Sequence, residues 1–334
     1  MEDRDRGSSL VQLLIGLLLS AFLIAGALQW FVHLKKTLQT QKSRALSLES
    51  ERTMVQYLIS DLKNAGYRGC RTQDSQFPVR RNFIDFGEKT RYFRLDRIVY
   101  GFQATPGKCQ GRMPATVCKR LKENSDLLVI HNVPGKHFNL RQSMHTPSDD
   151  LYSYWNQPIS KDAMVLISDC HQGDVFIASD VNGERISHGT SDNETNQLSK
   201  NYPKNTEAVE LLTLAYYLGI PLRHEKNSPM PLHYSLYRDD LQHEAEEILE
   251  GIIDFQVQYI FHDVSNDVRL VSADKIAEHE WPAVSGIQLK IKTITNQEWE
   301  VMGEIRNWQR VRCGADYALC NVVVVGTSDR AGDT

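Results

Sequence analysis

Between Leu10 and Leu34 the chain has no Asp, Glu, Lys or Arg. At about 1.5 Å rise per residue, a helix over this run is long enough to cross a hydrocarbon core of roughly 30 Å. Its far end, Gln29-Trp30-Phe31-Val32-His33, lacks the small residues of a signal-peptidase site. The apolar core is also too long for the usual pattern, and together these argue against a secretory signal peptide. Between Leu38 and Ala65 there is no proline and no glycine, so nothing breaks a helix there. A basic excess is missing too. Lys and Arg number 38 against 42 Asp and Glu, a net charge of −4, which gives nucleic acid no electrostatic footprint. No G-x-x-x-x-G-K-[ST], no G-x-G-x-x-G after a strand, no H-E-x-x-H and no G-x-S-x-G occurs. The eleven histidines are dispersed, so neither a metal site nor a cofactor is expected.

What remains is a greasy start followed by a polar body. At 334 residues, one membrane helix plus one large or two small domains is expected. Leu46, Met54, Leu58, Leu62 and Ala65 recur at helical spacing, with Val55 and Ile59 beside them. Gly66 is a natural stop. A helix from about Ser8 to Ala65 would be ~85 Å long. Beyond Arg71 the pattern is short strands and long loops. Strands are expected at 125–131, 163–170, 174–178, 210–218, 232–238, 248–259 and 321–325. The Ser-, Asn-, Asp- and Gly-rich stretch from Asn182 to Asn205 reads as a surface loop.

Six cysteines, Cys70, Cys109, Cys118, Cys170, Cys313 and Cys320, all follow the apolar run, as expected of disulfides in an oxidising compartment. Six allow fifteen pairings. The expected set joins Cys313 to Cys320, Cys109 to Cys118 and Cys70 to Cys170. The first two would close short loops. Other chemistry is weaker. His243 and Glu247 would share a face of a helix, read as solvated. Asp169-Cys170-His171 does not make a thiol–base pair, because adjacent strand residues face opposite ways. Asp180 to Glu184 and Asp263 to Asp267 carry oxygen ligands but not a full calcium loop, and read as turns. No catalytic residue is assigned, and an enzyme is not expected.

Gly7 stands just before the apolar run, with charges on its other side. The string Gly7-Ser8-Ser9-Leu10-Val11, with Leu13-Leu14-Ile15, resembles the prepilin signal of type IV pilins. Further on, Asp61-Leu62-Lys63-Asn64-Ala65-Gly66-Tyr67-Arg68-Gly69-Cys70 resembles the D-L-x-x-A-G-Y-x-G-C exit of PilW-type minor pilins. The strings Ser168-Asp169-Cys170 to Phe176, Ser235-Leu236-Tyr237-Arg238, Ile248 to Tyr259 and Trp281 to Ile291 follow the same group in order. The resemblance is weak from Arg71 to Asn124 and after Thr293.

The resemblance implies cleavage between Gly7 and Ser8 by a prepilin peptidase, with N-methylation of Ser8. Leu10, Val11, Leu13, Leu14, Ile15, Leu17 and Leu18 would pack against other helices. The family places Glu where this chain has Gln12, and Phe where it has Ser8. Gln12 can accept a hydrogen bond but cannot neutralise a neighbouring subunit's amine. Both departures argue against a bulk subunit, and at Gln12 either the pairing is weaker or the subunit sits where it is not needed, as at a filament tip. The implied fold is α+β, pilin-like: a long N-terminal transmembrane helix packed on a β-rich head with an antiparallel sheet. Its parts are a leader (1–7), a filament-core half of the helix (8–34), an amphipathic half (35–66), a periplasmic head (67–326) and a tail (327–334).

The implied function is that of a minor pilin that helps to initiate type IV pilus assembly. Its partners would be other minor pilins, the major pilin, the prepilin peptidase, the inner-membrane assembly platform and the membrane itself, and not nucleic acid. It would wait in the inner membrane, head in the periplasm, and end at the pilus tip on the cell surface. The alternatives are a J-type minor pseudopilin of type II secretion and a membrane-anchored periplasmic binding or adhesion module. One signal opposes this placement. Lys35, Lys36, Lys42 and Arg44 follow the apolar run, and the positive-inside rule alone would keep the body in the cytoplasm.

Overall fold

The computed structural model describes residues 4–69, 78–84, 92–105, 109–154, 159–222, 233–262, 268–294, 298–304 and 323–327; of residues 4–12, 40, 43–44, 46–48, 298–304 and 323–327 the backbone alone is described. The chain forms two compact units, Met1–Met54 and Val55–Thr334. Helix α1 (Arg4–Lys63) is one unbroken helix of 60 residues, as the lack of Pro and of interior glycine pairs dictates. It ends in a turn at 64–66, where Gly66 takes φ +70°, a conformation that side chains disfavour. Past that turn the backbone is caught by the sheet. Gly66 N–H donates to the His131 carbonyl (3.0 Å) and Tyr67 N–H to the Asn132 carbonyl (2.9 Å).

The second unit is a β-rich domain with a mixed, mostly antiparallel sheet. Its strands are β1 (Val79–Asn82), β2 (Val99–Gln103), β3 (Asp126–Asn139), β4 (Leu151–Tyr152), β5 (Met164–Ser168), β6 (Gly173–Ile177), β7 (Asp180–Asn182) and β8 (Arg185–Ser187). They continue with β9 (Glu207–Gly219), β10 (Tyr234–Asp239), β11 (Glu246–His262), β12 (Val268–Ser272), β13 (Gly286–Thr293), β14 (Glu298–Glu304) and β15 (Val323–Thr327). A short helix α2 (Ala115–Arg120) sits between β2 and β3. Twelve strands form one sheet, ordered β1-β6-β5-β9-β10-β11-β13-β14-β15, with β3 on β9, β2 on β3 and β12 on β11. Only β1–β6 is parallel among the described pairs. Strands β4, β8 and β7 form a separate small sheet.

Strand β9 is the spine. It pairs β3 along one edge, and β5 and then β10 along the other. Its alternate residues serve different neighbours, as the two-residue period of a strand requires. Ala208 enters a core with Phe138, Val165, Phe176 and Tyr202. On the opposite face Val209 and Leu211 pack with Phe83, Phe93 and Leu166. Further along that face Ala215 and Tyr217 pack with Phe102, Leu127 and Tyr237.

Three sequence expectations change. The stretch 182–205 is not a surface loop. It carries β8, and Ile186, His188, Asn193, Leu198 and Tyr202 are buried. Its polar side chains are consumed inside. Asn193 Oδ1 accepts from Ile177 N–H (2.7 Å), and its amide donates to the Ile177 and Gly189 carbonyls. Asp174 Oδ2 accepts from the Ser199 N–H, the Ser199 hydroxyl and the Tyr202 hydroxyl. Second, His243 to Glu247 is not helical. Asp240 closes a turn by accepting from the Gln242 and His243 N–H groups, and Glu246 opens β11 opposite Arg238. Third, β15 runs through Gly326 to Thr327, past the expected strand end and into the expected tail; residues 328–334 lie outside the described residues. Of the turn expected over Asp180 to Glu184, Asp180–Asn182 is strand β7 and the turn itself is Gly183-Glu184, with Asp180 paired to Arg185 at 2.6 Å. Asp263 to Asp267 lie outside the described residues.

Candidate functional site

Within α1, Leu13–Gln39 has a mean hydropathy of 2.1 over its apolar window and none of it is buried. It is long and apolar enough for a membrane span or a signal sequence. Leu13, Leu14, Ile15, Leu17 and Leu18 are all exposed, as are Phe22 and Trp30. So large a contiguous apolar surface marks contact with lipid or other protein. Gly7, Ser8, Leu10, Val11 and Gln12 lie on the helical backbone, and their side chains are outside the description.

The other end of α1 is held by a buried ion pair. Val55, Leu58, Leu62 and Ala65 are buried at helical spacing, and Asp61 is buried with them. Arg238 on β10 reaches Asp61 with two nitrogens, Nε to Oδ2 at 2.7 Å and Nη2 to Oδ1 at 3.3 Å. The Tyr216 hydroxyl on β9 donates to Asp61 Oδ2. Tyr216 and Arg238 are direct partners across β9 and β10, so they share one face. Burial disfavours the Arg238 charge, but the hydrogen bonds and field of Asp61 outweigh it and raise the guanidinium pKa. Burial, then the Asp61 charge, pushes the Tyr216 phenol far up. Asp61 and Arg238 lie in two separate strings noted in the sequence. Sequence reasoning missed their pairing, since each charge stands among others, Asp61 beside Lys63 and Arg238 beside Asp239 and Asp240.

On the cysteines, Cys109 and Cys118 are disulfide-bonded, closing the loop that carries the start of α2. The expected Cys70–Cys170 bond is corrected at one end: Cys170 is an exposed free thiol. It sits in a turn closed by Asp169, which accepts from the His171 and Gln172 N–H groups, so no strand directs Cys170 inward. Cys70, Cys313 and Cys320 lie outside the described residues.

Among the described residues, two clefts of the second unit bear on function. The larger, about 610 Å3, lies over Leu211 and Thr213 of β9. Its acidic groups are already engaged. Asp239 accepts from the Tyr217 hydroxyl and the Leu241 N–H, and Asp240 holds His243 at 2.7 Å. The smaller is lined by three arginines and His131 of β3. Burial, helped by the Arg97 charge, holds His131 at about 3, so its ring is neutral. Of its lining, only Val129 and His131 fall in an expected strand; Tyr92 to Tyr100, Gly111 to Met113 and Glu278 come from stretches without a strand pattern or motif, so sequence reasoning missed this cleft. Among the described residues, no group of three His, Cys, Asp or Glu is placed to hold a metal ion.

Comparisons with family models, with curated proteins and with solved structures found no match. The functional reading therefore rests on residues and geometry.

Proposed function

We propose that this protein is a minor pilin, a filament subunit of the PilW type that helps to start type IV pilus assembly. The observation that carries the reading is the pairing of two features on one helix. A 27-residue apolar stretch is fully exposed, and the same unbroken helix ends in a buried ion pair on a β-rich domain. A lone membrane anchor has no need of a helix that runs on without a break. A subunit that must transmit its seat in a helical bundle to a head does need one. Cleavage after Gly7 would free the Ser8 amine, and the Leu10, Val11 and Leu13 side of the helix would pack against co-subunits by van der Waals contact in lipid. Gln12 is neutral, which favours a position where no subunit below requires a paired charge.

The test is N-terminal sequencing of the protein from membranes and from sheared filaments. The mature chain is expected to begin at methylated Ser8, and Gly7→Ala to retain Met1. Leu14→Asp should abolish filament incorporation while the second unit keeps its fold. Wild-type protein that starts at Met1 and has no filament co-subunits on purification would overturn the proposal. Labelling along the whole shaft would overturn the tip position.

A further inference from the structure

The smaller cleft has a volume of about 190 Å3. At ~30 Å3 per water it has room for about six waters, the size of one small organic molecule. Arg97 is buried and committed, paired with Asp96 at 3.1 Å and Glu278 at 2.8 Å. Arg94 and Arg112 are exposed, and among the described residues no carboxylate pairs with either. Arg112 lies over the Phe102 ring at 5.6 Å, a contact that orients the guanidinium without neutralising it. At the cleft wall His131 is 3% exposed, and its Nδ1 has no hydrogen-bond partner. A neutral imidazole has one N–H and one lone pair, and a hydroxyl can meet Nδ1 in either state. Buried polar atoms are almost always satisfied, so a cleft built around one calls for a hydrogen-bonding partner. The half-buried rings of Tyr92 and Tyr100 supply flat apolar walls.

These demands select the ligand. A simple carboxylate such as acetate would satisfy the two guanidinium groups and leave Nδ1 without a partner. A neutral sugar would supply the partner and leave the charges unmatched. We propose that the cleft binds a small hydroxy-carboxylate, of the acidic-sugar class, with the carboxylate on Arg94 and Arg112 and a hydroxyl hydrogen-bonded to Nδ1 of His131. This rests on the β-rich unit alone and is independent of filament membership.

The test is calorimetric titration of the full chain in detergent micelles with glucuronate, glucose, acetate and inorganic phosphate in turn. Glucuronate is expected to bind at least ~tenfold more tightly than glucose, which lacks the charge-assisted pair, and than acetate, which lacks the hydroxyl on Nδ1. Arg94→Gln and Arg112→Gln should each weaken glucuronate by ~tenfold and leave the unfolding midpoint unchanged, since both side chains are exposed. His131→Phe should bring glucuronate down to the affinity of acetate. Equal binding of glucuronate and acetate, or arginine variants that bind as wild type, would overturn the site. Phosphate binding more tightly than glucuronate would overturn the ligand class, because hydrogen phosphate also carries both an anionic oxygen and an O–H donor.

Discussion

Replacing Asp61 by Ala should be among the most damaging single changes in the chain. Asp61 is 7% exposed, and it satisfies three donors from two strands. Its removal leaves the Arg238 guanidinium, whose side chain is 24% exposed, and the Tyr216 hydroxyl unpaired. Breaking one half of a buried pair costs about 3–5 kcal/mol. Glu246 stands 4.0 Å from Arg238, but it is 57% exposed and recovers little of that. Asp61→Asn keeps one acceptor oxygen for Tyr216 and Arg238 Nε but loses the charge and the acceptor for Arg238 Nη2, so about 1–3 kcal/mol is expected. Pairing Asp61→Leu with Arg238→Met and Tyr216→Phe should return stability to near wild type, because an apolar replacement of the whole group leaves nothing unpaired. The assay is urea unfolding of the full chain in detergent, followed by tryptophan fluorescence. The double-mutant cycle of Asp61 and Arg238 should show a coupling of about 0.5–3 kcal/mol. A loss below ~0.5 kcal/mol for Asp61→Ala, with additive effects, would mean that the pair behaves as a surface contact and that the helix end is held by apolar burial alone.

Acid should act through His131. Its folded pKa is about 3 against 6.5 when unfolded, so between these values the unfolded chain takes up a proton that the native ring refuses. The contribution is fully present above pH 6.5 and is lost as pH falls towards 3, reaching on the order of 4 kcal/mol. Wild type should therefore lose stability more steeply between pH 6 and 4 than His131→Phe, as read from urea midpoints across that range. Gly101→Ala would place a Cβ 2.5 Å from the Leu127 carbonyl and 2.0 Å from the Tyr259 hydroxyl, inside the β2–β3 pair. Backbone cannot yield as a side chain does, and a lower unfolding midpoint worth about 1–3 kcal/mol is expected. Alkylation before reduction, followed by peptide mapping, should find Cys170 labelled and Cys109 linked to Cys118.

The apolar half of α1 and most strands could be read from the sequence because each carries its own local signal. Twenty-five residues without charge have few physical meanings, and Leu166-Ile167 or Leu211-Leu212 within β-rich runs read as strands wherever they pack. The 182–205 stretch misled because polarity was taken for exposure, whereas Asn193, Ser199 and Tyr202 spend their polarity on buried partners. His243 to Glu247 misled because helical spacing of two side chains says nothing of Asp240, which turns the chain just before them. The Asp61–Arg238 pair spans 177 residues of sequence, and the arginine cleft joins residues from β3, the segment before β2 and the start of the disulfide loop. No local pattern encodes such meetings; topology alone makes them.

One strand, β9, contributes residues to three separate apolar clusters. Cores that share a strand cannot melt one at a time, because opening any of them exposes edges on which the others rely. The amides of β9 should therefore exchange with solvent only through global opening, and together. Such a body resists partial unravelling under load: a pull applied through Asp61 reaches all three clusters through the same backbone.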